Sequence, residues 1–176
     1  GILLALMTGM RLGELCALKW ENVSVRERTI KINETMQRLK NMDKDAETKT
    51  RLWVGNPKSN TSCRVIPMTE SVAGLCGRMP QYSPASYILT GTTEPMEPRT
   101  LQYRLEKYTR ECGIEQVHFH TLRHSFATRC VEAGFELKSL SEILGHANSS
   151  ITLELYVHSS LELKRANMNK LSLLNL

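Results

Sequence analysis

The segment HFHTLRH, residues 118–124, places three of the chain's five histidines and an arginine within seven positions. On a helix starting at His120, the residues Leu122, Phe126, Ala127 and Cys130 form an apolar stripe, and His120 and Arg123 share a different face. An imidazole that can move a proton, beside a fixed cation, suits an oxyanion developing on phosphorus. His120 and His124 also have the i,i+4 spacing of zinc ligands. No glutamate follows His120 as a general base would, however, and Arg123 between them would repel a cation. Taken alone, a structural histidine cluster on a solvated helix explains the segment equally well.

Other residues bear on the same chemistry. In TGMRLGEL, a turn at Thr8-Gly9 delivers Arg11 to the start of a helix, where backbone N–H groups favour an anion and the guanidinium offers a bidentate fork. Glu14, three residues on, can orient that arginine; a surface Arg–Glu pair is the plainer explanation. His146 follows Gly145 just past a helix end in LGHANSSITLELYVH, and Tyr156 lies ten residues further on. A lone helical tyrosine usually packs in a core or an interface, yet tyrosine is also a nucleophile able to form a covalent intermediate.

The elements that must carry these residues are mostly helical. Apolar periodicity and glycine stops give helices over 1–7, 11–18, 69–79, 99–112, 120–133, 138–145, 149–158 and 161–174. Gly113, Gly134 and Gly145 fall where helices would end, and Ser139-x-x-Glu142 has the form of a capping box. VSVRERTIKIN (23–33) alternates as a strand or hairpin, the polar stretch 34–52 reads as a loop or an extended hairpin, and RVIP (64–67) and YILTG (87–91) read as short strands. Turn signals at Asn56-Pro57 and Ser59-Asn60 place Lys58 at or near a hairpin. The expected class is mainly α with a small antiparallel β-sheet (α+β).

Length and composition narrow the field. The chain has 176 residues, 41% hydrophobic and 23% charged, which suits one domain with a sizeable core. No apolar run is long enough to cross a membrane, and GILLALMTGM lacks the basic lead of a signal peptide. Its abrupt start, with no initiating Met, reads as a fragment lacking an N-terminal part. Five widely spaced cysteines without a CxxC pair favour reduced thiols and a cytoplasmic setting over a disulfide framework or a zinc site. The net charge of +5 favours an anionic partner such as nucleic acid. Arg26, Arg28, Lys49, Arg51, Arg64, Arg99 and Arg104 could line such a face, with salt-sensitive and largely sequence-blind contacts.

In order and spacing, TGMRLGELCALKW, PKSNTSCRVIPM, HFHTLRHSFAT, LGH and ITLELYVH resemble the catalytic domain of the tyrosine recombinases, the phage and transposon integrases. The resemblance spans nearly the whole chain. It is most similar to integrases of phages and conjugative transposons, and it implies a recombinase catalytic-domain fold over 1–176 with N-terminal DNA-binding domains absent. It further implies that Arg11 and Arg123 hold the scissile phosphate and that Lys58 protonates the departing 5′ oxygen. His120 and His146 would assist proton transfer, and Tyr156 would form a 3′-phosphotyrosyl link. Glu14 matches the family's supporting acidic position. No metal or other cofactor is implied. The implied partners are double-stranded DNA at specific sites, further protomers in a tetramer, and an accessory directionality factor. The terminal helix, 161–176, would pack on its own domain or on a neighbouring protomer. A type IB topoisomerase, a non-catalytic DNA-binding protein on a decayed recombinase fold, and a metal-dependent nuclease are the competing readings; the last lacks clustered carboxylates.

Overall fold

The computed structural model describes residues 1–42, 48–56, 62–80, 82–146, 152, 165, 168 and 169. Helices α1 (Ile2–Thr8) and α2 (Leu12–Ala17) are followed by a 3-10 turn, Trp20–Asn22. Strands β1 (Val23–Ser24), β2 (Thr29–Ile32), β3 (Thr35–Lys40), β4 (Thr50–Gly55) and β5 (Arg64–Pro67) come next. They precede α3 (Glu70–Gly77), α4 (Pro98–Glu111), α5 (Phe119–Glu132) and α6 (Leu137–Leu144). The strands make two antiparallel sheets, one ordered β1-β2-β5 and one formed by β3 and β4.

The helix-rich class and its small antiparallel component match the sequence expectation, and the expected helix ends hold within about two residues. Gly113, Gly134 and Gly145 each adopt the left-handed conformation that stops a helix, as does Gly9 after α1. At α6, the Gly145 N–H bonds the Glu142 carbonyl and the His146 N–H bonds that of Ser141, which is a Schellman ending.

The core follows the side-chain periods. Leu4 and Ala5 of α1, Leu15 and Cys16 of α2, Ile30 and Ile32 of β2, Ile66 of β5, Val72 and Cys76 of α3, Leu101 and Leu105 of α4, and Phe119 and Leu122 of α5 pack into one buried cluster. Ala127, Cys130, Val131, Leu140 and Leu144 make a smaller one between α5 and α6. All five cysteines are free thiols, with Cys16, Cys76 and Cys130 buried.

In the β1-β2-β5 sheet, Ile30 opposes Ile66 and Ile32 opposes Arg64. Alternation along β5 therefore turns Arg64 to the same side as the buried Ile66, while Val65 faces out. The second sheet is an arm whose strand β3 lies against α2. A Cβ on Gly13 would stand 2.4 Å from the Met36 carbonyl oxygen, so glycine is what allows the arm to seat.

Two local expectations are corrected. YILTG is not a strand: Tyr87 makes a single bridge to Lys19, and the chain then turns, with the Gly91 N–H bonding the Tyr87 carbonyl at 2.8 Å. Its β-branched and aromatic composition suits a strand, but Gly91 at φ 70 closes a turn instead. Ser139 does not start α6. Glu136 is the N-cap residue, and its carboxylate accepts from Ser139 Oγ at 3.1 Å without capping a backbone N–H, so Ser139-x-x-Glu142 lies inside α6 and is not a capping box. β4 pairs with β3 and β5 with β2, and the stretch between them that carries Lys58 lies outside the described residues. So do the expected helices over 149–158 and 161–174 (apart from isolated positions) and Tyr156.

Candidate active site

Three successive backbone carbonyls at the C-terminal end of α6 organise the site. A helix end leaves such groups without intrahelical partners, and its dipole is negative there, so cations are favoured. Arg64 Nε donates to the Ile143 carbonyl at 2.6 Å, Arg123 Nη2 to that of Leu144 at 2.6 Å, and Arg11 Nη2 to that of Gly145 at 2.9 Å. Residues from α2, β5 and α5, distant in sequence, thus meet on three consecutive residues.

Each arginine has a second tie. Arg123 is buried, 4% exposed, and its Nη1 donates to the Gly9 carbonyl at 2.7 Å across α1. These bonds use two of its five N–H groups. Arg11 Nη1 meets Glu14 Oε1 at 2.8 Å, while the Arg11 backbone N–H donates to Glu14 Oε2 at 2.9 Å. Arg64 grips the same carboxylate with both terminal nitrogens, each at 2.9 Å. Burial alone would push the Glu14 carboxyl up; the hydrogen bonds and charge of Arg64, then those of Arg11, hold it below its ordinary value.

An open groove of about 510 Å³ runs in front of the arginines. Arg11, His120 and Arg123 line it, with Gly13, Met36 and Gln102 on its other walls. His120 stands in the first turn of α5, edge-on to His124 with ring centroids 4.5 Å apart. Partial burial, then His124, Arg123 and Arg11, lowers its pKa, so the ring is neutral at pH 7. His146, next to the capped helix end, shares a 2.8 Å hydrogen bond between its Nδ1 and the hydroxyl of the buried Thr152. Burial and the charges of Arg123, Arg11 and Arg64 push it down to about 4. Arg123 is itself pushed down to about 9, by burial first and Arg11 second, and stays protonated at neutral pH.

The arrangement is thus a cationic, open groove with His120 on its wall and His146 beside the helix end that the arginines cap. It can hold a phosphate-sized anion and accept a proton beside it. Of the six residues singled out from the sequence, Arg11, His120, Arg123 and His146 come together; Lys58 and Tyr156 fall outside the described residues. His118 is the residue before α5 and touches the groove rim.

Arg64 needs correcting. Sequence reasoning counted it among surface cations, whereas its side chain is 6% exposed and ion-paired inside the site. The signal was available: in RVIP, Arg64 is two residues from Ile66 and so shares its inward face. Arg28 and Arg38 are paired with Glu70 and Glu97, and Arg99 lies over the Tyr103 ring at 4.5 Å.

Residues 2–162 match the phage integrase family. The chain belongs to the phage integrase family. Among its relatives, a protein named tyrosine recombinase XerC-like from Caldanaerobacter subterraneus subsp. tengcongensis is 29% identical over 172 residues, covering 89% of this chain and 44% of that protein. The integrase of Staphylococcus phage L54a is 30% identical over 173 residues, covering 94% of this chain and 49% of the phage protein. The fold superimposes on the Tn1549 transposon integrase, solved in complex with circular intermediate DNA, with a TM-score of 0.70 and 27% identity, over 97% of this chain and 58% of the other. This integrase-family chain therefore spans about half the length of the relatives it matches. Among its described residues, no helix is long and apolar enough to cross a membrane.

Proposed function

We propose that the chain is the catalytic domain, over 1–176, of a tyrosine-type site-specific DNA recombinase that integrates or excises a mobile element. The observation that carries this reading is the convergence of Arg11 and Arg123 on adjacent carbonyls beside a groove bordered by His120. Two fixed guanidiniums meet the charge on the non-bridging oxygens of a phosphodiester in transfer.

In the proposed reaction, the Tyr156 oxygen attacks phosphorus and its proton passes to a histidine base. The bond to the 5′ oxygen breaks, and that oxygen takes a proton from Lys58. The 3′-phosphotyrosyl link conserves the energy of the cut strand. A 5′ hydroxyl of the partner strand then attacks phosphorus and releases tyrosine, so the cycle needs no nucleotide hydrolysis. His120 and His146, neutral at pH 7, are suited to accept the proton. The substrate is double-stranded DNA, in keeping with the DNA-bound state of the Tn1549 integrase. A tetramer on DNA, an accessory directionality factor, docking of 161–176 on a neighbouring protomer and a cytoplasmic, nucleoid-associated location complete the proposal.

The test is covalent trapping. Wild-type protein incubated with duplex DNA and then denatured should carry DNA, in the presence of EDTA as in its absence. Tyr156→Phe should bind DNA and yield no adduct. Cleavage that stops in EDTA, or an adduct that persists in Tyr156→Phe, contradicts the reading.

A further inference from the structure

Arg11 and Arg123 face the groove, while Arg64 lies behind them. Its side chain is 6% exposed and that of Glu14 is 2% exposed, whereas Arg11 is 37% exposed. The carboxylate of Glu14 stands between an inner cation and an outer one. Both its oxygens accept from Arg64, at 2.9 Å each, and each also accepts one bond from Arg11.

This arrangement settles how much charge reaches the groove. With Arg11 alone, Glu14 would form a closed, neutral pair, and the outer guanidinium would have little attraction left for an anion. A second cation changes the balance. The cluster of Arg11, Arg64, Arg123 and Glu14 carries a net charge of two, and the excess lies on the groove side. Arg64 is also fixed independently of Glu14, by its bonds to the Ile143 and Ser62 carbonyls. The close fit extends to Gly145, where a Cβ would come within 2.9 Å of Arg64 Cδ.

We infer that Arg64 is a positioning residue, a buried counter-cation that neutralises Glu14 so that the Arg11 charge stays available to an anion in the groove. That the anion is a DNA phosphate rests on the proposed recombinase function; the charge balance does not. Arg64 acts through Glu14 and Arg11 and need not touch the substrate.

Inorganic phosphate titrated into the 176-residue chain at pH 7, with the His120 and His146 ring signals followed by NMR, tests the inference without DNA. Urea unfolding of each variant runs alongside. Arg64→Met should weaken phosphate binding about tenfold or more, because Glu14 then takes up the Arg11 charge. Arg64→Lys keeps the charge but loses the bidentate fork, so its phosphate affinity should lie between those of wild type and Arg64→Met. The decisive variant is Glu14→Gln with Arg64→Met, in which neither buried charge remains; binding should return to within about threefold of wild type. A purely structural role for Arg64 predicts that the double variant binds as poorly as Arg64→Met. That result overturns the inference, as does a folded Arg64→Met with wild-type affinity, or a wild-type chain that binds no phosphate. If Arg64→Met does not fold, the double variant, compared with wild type, still decides. The expected pattern in a chain that makes no covalent DNA adduct would refute the recombinase reading and leave the role of Arg64 standing.

Discussion

Arg123 has two tasks at once. It ties the carbonyls of Gly9 and Leu144 together from a buried position, and it lines the groove. Arg123→Ala should therefore lower both stability and chemistry. Two buried carbonyls lose their donor, at a cost of roughly 2–4 kcal/mol in urea unfolding. DNA cleavage should slow by at least about 100-fold, as when an oxyanion donor is removed; near-normal cleavage would mean that another cation holds the phosphate. His146 makes a separate prediction. Its folded pKa of about 4 lies below its ordinary 6.5, so between these values the unfolded chain binds a proton that the folded chain does not. Stability should be level above about pH 6.5 and fall as the pH drops toward 4, by roughly 1–2 kcal/mol once solvent screening is allowed for. Glu14 adds its own loss only as pH falls below its ordinary 4.5. Urea unfolding at a series of pH values should show the slope in wild type and a flatter one in His146→Gln.

Among the elements, the end of α6 matters most, because Arg64, Arg123 and Arg11 each lean on one of its last carbonyls. Gly145 makes that ending possible at φ 64, where a side chain is strained. Gly145→Ala should cost about 1–3 kcal/mol, from the left-handed backbone and the contact with Arg64, and should reduce covalent adduct yield beyond the loss of folded protein. Much of this scale was legible in the sequence. Helical spacing put His120 and Arg123 in the first turns of one helix, and the glycines marked where helices stop. Arg64 was not legible from residue type, since an arginine in a basic stretch reads as surface; its strand face had to be assigned from Ile66 first. YILTG looked like a strand because its residues favour one, and only the pairing of Tyr87 with Lys19 and the turn at Gly91 show otherwise. The Ser139-x-x-Glu142 pattern misled because both residues lie inside α6, which has Glu136 at its N-cap.

At the scale of the whole molecule, two packing units meet at the site. The larger core carries α2, with Arg11, and the β1-β2-β5 sheet, with Arg64; the smaller α5–α6 core carries the helix end that all three arginines cap. The β3–β4 arm, seated on Gly13, supplies a groove wall through Met36. The family match spans 2–162, so this frame belongs to the phage integrase fold. In the proposed reaction a phosphodiester passes to Tyr156, so the covalent adduct should map to that residue. After incubation with duplex DNA, nuclease trimming and tryptic digestion, mass spectrometry should find a nucleotide on the peptide spanning 139–164, whose single tyrosine is Tyr156. A nucleotide on any other residue, or DNA cut by wild-type protein with no covalent species formed, would contradict the account.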